Sequence, residues 1–188
     1  KNFVQCIIRT GSPARPQYTA ELMFLPPTWI KDNAVKITQE APSGTGEHDY
    51  ALLRITGVVS PAVVYPSKFP FLLTSLYPPQ TGNDVLQAGY AAGFLGGITV
   101  QNDLYASSAY TKVGEVYTYG PNTIDLFSLG GSVVAQHGSS GGPIANTDGT
   151  LVGVIVTSTT GEDTASRILR ALSTSYIIED FEKERGKP

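Results

Sequence analysis

Cysteine occurs once, at Cys6, so the chain closes no internal disulfide and has to be held by packing and hydrogen bonds. Because Cys6 sits in the apolar run Phe3-Val4-Gln5-Cys6-Ile7-Ile8, it is expected to be a buried small side chain and not a reactive thiol. Charge is scarce too. Asp, Glu, Lys and Arg make up 15% of the 188 residues, and the net charge is -3. With no run of Lys or Arg there is no field to attract a phosphate backbone or an anionic lipid surface, which argues against nucleic acid and membranes as partners. No apolar stretch approaches the ~18 residues that span a bilayer, and no charged-then-apolar leader is present. An initiator methionine is missing as well, so a chain starting at Lys1 is expected to be processed or to come from a longer product.

What the chain does have is Gly (20) and Pro (13) punctuating short segments rich in Val, Thr and Tyr, the pattern of an all-β sandwich or barrel. At 41% hydrophobic residues it can bury a core. Strands are expected over Phe3–Arg9, Tyr18–Leu25, Ala34–Thr38, Tyr50–Ile55, Val85–Tyr90, Ile98–Ala106, Gly114–Tyr119, Thr123–Phe127, Leu151–Val156 and Ser166–Leu172. Asn146-Thr147-Asp148-Gly149 signals a hairpin, because Asp-Gly tolerates the positive φ of a tight turn. Prolines 61, 66, 70, 78 and 79 crowd one stretch that reads as a linker. Helical periodicity is nearly absent until the end. There Ser173-Thr174-Ser175 offers N-cap hydroxyls, and Tyr176, Ile177 and Phe181 recur at helical spacing with Glu179, Asp180 and Glu182 on the other side.

The segment Gly138-Ser139-Ser140-Gly141-Gly142-Pro143 answers the requirements of acyl transfer one position at a time. The N–H groups of Gly138 and Ser140 can point at one spot where a tetrahedral oxygen becomes negative, and a side chain at Gly138 would oppose the backbone conformation that aims them. Gly141 and Gly142 let the chain turn away beside Ser140, and Pro143 fixes φ as the strand from Ile144 begins. The Ser140 hydroxyl is left projecting as a nucleophile. A glycine-rich turn without chemistry is the plain alternative.

This segment and its surroundings resemble the trypsin/chymotrypsin-like serine peptidases, whose Gly-x-Ser-Gly-Gly-Pro motif is followed by a strand, a Gly-containing turn and a strand, as Ile144–Ile155 is here. Upstream, His48-Asp49-Tyr50-Ala51-Leu52-Leu53-Arg54-Ile55 resembles the family's Asp-x-Ala-Leu-Leu-x-Ile segment, which implies that Asp49 is the triad carboxylate. Gly82–Tyr90, Val113–Val116 and Ser166–Ile177 are similar to the second-barrel strands of the HtrA-like bacterial branch, which lacks disulfides. The implied fold is all-β: a double antiparallel β-barrel of the chymotrypsin type, the first barrel incomplete and lying with a linker over 1–77, the second with a C-terminal helix over 78–188. The implied reaction is peptide-bond hydrolysis through an acyl-enzyme on Ser140, without cofactor or metal, on a polypeptide substrate.

The family's general base is a histidine preceding the strand that Phe3–Arg9 forms, and only His48 and His137 occur here. His48, adjacent to Asp49, should point to the opposite side of an extended chain, and His137 should leave the oxyanion loop toward the substrate rim. The base is therefore expected on a preceding segment, and the 188-residue piece to be nearly inert; a pseudopeptidase or peptide-binding module using the same groove, or an esterase-like acyl transferase, is the alternative. By resemblance, the pocket for the residue before the scissile bond is lined by Val134, His137, Val156, Thr157 and Ser158. None of these is a carboxylate, so a small or medium apolar residue is expected there, or an acidic one if His137 is protonated. The sparse charge leans toward an extracellular or bacterial cell-envelope location.

Overall fold

The computed structural model describes residues 5–36, 38–39, 44–93, 95–159 and 166–187. Alternating and β-branched segments fold into two sheets. β1 (Gln5–Thr10), β2 (Arg15–Phe24) and β3 (Leu52–Val58) make an antiparallel three-stranded sheet in the order β1-β2-β3. β4 (Asp84–Gly89), β5 (Ser107–Tyr117), β6 (Leu126–Leu129), β7 (Pro143–Asn146), β8 (Leu151–Ser158) and β9 (Leu169–Ser173) close into an antiparallel barrel in the order β4-β5-β6-β9-β8-β7. The expected hairpin joins β7 to β8, with Gly149 at φ 85° and the Asn146 N–H donating to the Thr150 carbonyl at 3.0 Å.

The two sheets bury very different amounts. The closed barrel is filled by Val85, Phe127, Leu129, Ile144, Ile155 and Leu169, each at most 1% exposed. In the first sheet Leu22 and Leu53, opposite one another in the register, remain 42% and 45% exposed. This is the incomplete first barrel that the sequence implies. Cys6, expected to be buried, is only half-buried, because its sheet has little above it to cover its faces.

A second apolar cluster joins the halves. Tyr50, Leu126 and Leu172 pack with Phe24, Tyr176 and Phe181, and the Phe24 and Phe181 rings meet edge to face at 4.9 Å. Phe181 belongs to α3 (Thr174–Glu184), the expected terminal helix, capped by the Ser173 hydroxyl accepting from the Tyr176 N–H at 3.2 Å. Tyr90 donates to the Gly11 carbonyl at 2.8 Å, adding a polar tie between the sheets.

Two expected strands are helical. Pro27 opens α1 (Pro27–Asn33) at a position where its missing N–H is not needed, and one 3-10 turn over Ala34–Lys36 replaces most of the strand expected at Ala34–Thr38. Most of the Ile98–Ala106 expectation falls on α2 (Gly97–Asn102) and the coil after it. Ile98 and Val100 favour strands only where a sheet edge can take them, and both edges of β4 are already used by β5 and β7. Ile98 is left 79% exposed.

Candidate active site

Ser140 lies in the loop between β6 and β7, and hydrogen bonds staple that loop to the barrel. The Gly141 N–H donates to the Ile155 carbonyl at 2.8 Å, the Ile155 N–H to Gly142 at 2.9 Å, and the Gly142 N–H to Ser139 at 2.9 Å. Ser139 is buried and donates its hydroxyl to the Val134 carbonyl, so of the two adjacent serines only Ser140 faces solvent. Its Oγ lies 3.5 Å from the Val156 carbonyl, a long contact that leaves the hydroxyl available.

Gly138 has φ 94°, and a Cβ there would come within 2.8 Å of the Tyr90 carbonyl. Its left-handed backbone sits beside a close main-chain neighbour, so glycine is demanded twice over. Among the described residues, the N–H groups of Gly138 and Ser140 take no part in backbone hydrogen bonds, while those of Ser139, Gly141 and Gly142 do. Two unpaired donors thus flank a paired one next to the Ser140 hydroxyl.

Asp49 comes from a tight loop before β3. Its N–H donates to the Gly46 carbonyl at 3.2 Å, and His48, with φ 60°, turns the chain. Burial raises the Asp49 pKa above the ordinary aspartate value, and a hydrogen bond from the Trp29 side chain offsets part of the rise. Trp29 is on α1.

Asp49 and Ser140 open onto one cleft of about 940 Å³, together with Trp29, His137, Val156 and Thr157. Of the residues singled out in the sequence, Ser140, Asp49, His137, Val156 and Thr157 line it; Trp29, Asp32 and the loop before Asp49 were not anticipated. Val134 is a correction: its side chain is fully buried in the barrel core and only its main chain serves the loop, the N–H donating to the Ser132 hydroxyl and the carbonyl accepting from Ser139. The Ser158 side chain lies outside the described part.

Neither histidine bonds to Ser140 among the described contacts. His137 is exposed at the cleft wall. His48 is held by α3: its Nδ1 is 2.9 Å from Asp180 Oδ2, and its N–H donates to the Tyr176 hydroxyl at 3.3 Å. Tyr50 donates to the same Asp180 oxygen at 3.1 Å, and burial, then the Asp180 charge, pushes the Tyr50 pKa far up, which keeps it a donor.

This corrects the sequence reading of α3, which placed Asp180 on the polar side. Asp180 is 5% exposed and Glu184 1%. The signal was present in the spacing Tyr176, Asp180, Glu184, which is one helix face. His48, Asp180 and Glu184 could offer a cation one ligand atom each within 4.8 Å. The Lys187 ammonium already pairs with Glu184, and Thr28 donates to both Glu184 oxygens, so Glu184 is partnered within the chain.

Comparison with known proteins places these features. The model of the trypsin-like peptidase domain matches residues 7–154. Among solved structures, neuropsin, a serine protease expressed in the limbic system of mouse brain, superposes with a TM-score of 0.56 at 15% identity, over 95% of this chain and 86% of its own. The MamO protease domain of Magnetospirillum magneticum gives 0.50 at 17%, over 93% and 73%. The Rv3671c protease of M. tuberculosis gives 0.48 at 20% identity over 73% of this chain, which covers only 60% of the mycobacterial one. A search among curated proteins finds no significant match.

Proposed function

Because the chain belongs to the trypsin-like peptidase domain family, we propose that it is the nucleophile-bearing part of a serine endopeptidase that hydrolyses peptide bonds through an acyl-enzyme on Ser140. The observation that carries the reading is the opening of Ser140 and Asp49 onto one cleft, with the free N–H groups of Gly138 and Ser140 beside the hydroxyl. In the reaction a base takes the Ser140 proton as Oγ adds to the scissile carbonyl. The two N–H groups stabilise the resulting oxyanion, collapse expels the amine as the base returns its proton, and water then releases the acid by the same steps. Asp49 orients the base and stabilises its cationic form.

On this reading the base is a histidine that these 188 residues do not supply. His48 is committed to Asp180, and His137 stands at the rim next to the oxyanion glycine. A fluorophosphonate probe on the natural-length protein tests the reading: Ser140 is labelled and cleavage stops in Ser140→Ala. Lack of labelling while a peptide still binds the cleft would favour the second reading, a pseudopeptidase, to which the missing histidine contact gives its support.

Val156, Thr157 and His137 present no carboxylate to the residue before the scissile bond; the cleft's carboxylates, Asp32, Glu47 and Asp49, come from α1 and the loop before β3. Substrates with Val or Ala there are expected to exceed Lys substrates in kcat/KM by ~10-fold or more, for want of a counter-charge. Equal rates would overturn this specificity.

A further inference from the structure

Asp49 is tied to the C-terminal helix along two routes. The first runs through its chain neighbour: Asp180 on α3 accepts from His48 at 2.9 Å and from Tyr50 at 3.1 Å, so both residues flanking Asp49 are gripped by one buried carboxylate. The second runs through α1. One turn further along α3, Glu184 accepts from the Thr28 N–H at 3.1 Å and from the Thr28 hydroxyl at 2.9 Å, and the next residue, Trp29, lines the cleft with Asp49.

Both carboxylates are nine-tenths or more buried, yet neither opens onto the cleft. Buried charge is expensive unless it is paired and hydrogen-bonded, and apolar residues could have packed this helix face. The groups these two carboxylates hold are the ones around Asp49. His48 moreover has a backbone φ of 60°, which a non-glycine residue adopts only where its surroundings impose it.

We propose that Asp180 and Glu184 are positioning residues for Asp49, so that α3, packed on the barrel that carries Ser140, sets where the first sheet's carboxylate stands in the cleft. This rests on the reading of Asp49 as the orienting carboxylate. It gives the helix a part in the reaction: a shift of α3 moves Asp49 relative to Ser140, and an ångström there is enough to lower turnover.

Trp29 is the one tryptophan of the chain, so its fluorescence reports on this arrangement whether or not peptide is cut. In the natural-length protein, Asp180→Ala and Glu184→Gln are expected to red-shift Trp29 emission and increase its quenching by acrylamide. They should also lower kcat about tenfold with little change in KM. Asp180→Asn, which keeps an oxygen for Tyr50 and His48, restores most of both signals. Glu179→Gln, on the exposed side of α3, leaves them at the wild-type values.

Wild-type emission and quenching in both Asp180→Ala and Glu184→Gln, with circular dichroism showing them folded, would overturn the proposal. If Asp180→Ala does not fold, Glu184→Gln decides through the same fluorescence. Failure of the wild-type protein to cleave or be labelled would instead overturn the peptidase reading, and the tryptophan signal would still decide whether α3 holds the loop.

Discussion

Two glycines near Ser140 separate what folding needs from what the reaction needs. A Cβ on Gly142 would lie 2.3 Å from the Ala88 carbonyl and 2.8 Å from that of Ser139, main-chain atoms that cannot step aside. Gly142→Ala is therefore expected to lower stability by about 2–4 kcal/mol, read by denaturant unfolding. Gly138 has its nearest neighbour at 2.8 Å and the left-handed φ of 94°. Gly138→Ala turns a free N–H away from the developing oxyanion, and kcat is expected to fall ~10²–10³-fold. A variant with unchanged kcat would remove Gly138 from the site. Both glycines were legible beforehand, because a motif of adjacent residues fixes its own backbone conformation. That Val134 points into the core was not, since its direction follows from how the barrel packs.

The terminal helix illustrates the same division one level up. Its cap and apolar face follow from local spacing, and Ser173 does cap it. The burial of Asp180 and Glu184 depends on partners from α1 and the Asp49 loop, far away in the chain. Burial tends to raise the Glu184 pKa, but hydrogen bonds from Lys187 and Thr28 outweigh it and hold the carboxyl down at about 2. In the unfolded chain the group titrates near 4.5, so its stabilisation is complete above that pH and is lost as pH falls toward 2. The melting temperature of the wild-type protein is thus expected to drop more steeply across this window than that of Glu184→Gln. The gap between them should close at its acid end. A constant gap would show that the pair does not carry the linkage. The 3-10 turn over Ala34–Lys36 and α2 belong here too: both fall on segments whose composition favours strands, but a strand needs a partner that local composition does not specify.

For the molecule as a whole, the contrast is between a closed barrel and an open sheet. β6 and β9 lie inside the barrel order with neighbours on both sides, and their inward residues are at most 1% exposed at Phe127, Leu129, Leu169 and Ala171. β1 ends its sheet and has one neighbour. Amide hydrogen exchange is expected to be slowest in β6 and β9 and fastest in β1, because opening the barrel requires breaking the main core. Equal protection would mean that the open sheet is as firmly held as the barrel. The pattern of strands, the Gly138–Pro143 loop and the capped helix could be read from residue order, since each depends on neighbours within a few positions. That Asp49 and Ser140 belong to one site was implied by the family resemblance alone, and the grip of α3 on the Asp49 loop and the place of Trp29 in the cleft could not be read at all. They depend on which distant faces exclude water together, and that is settled only when the sheets and helix have packed.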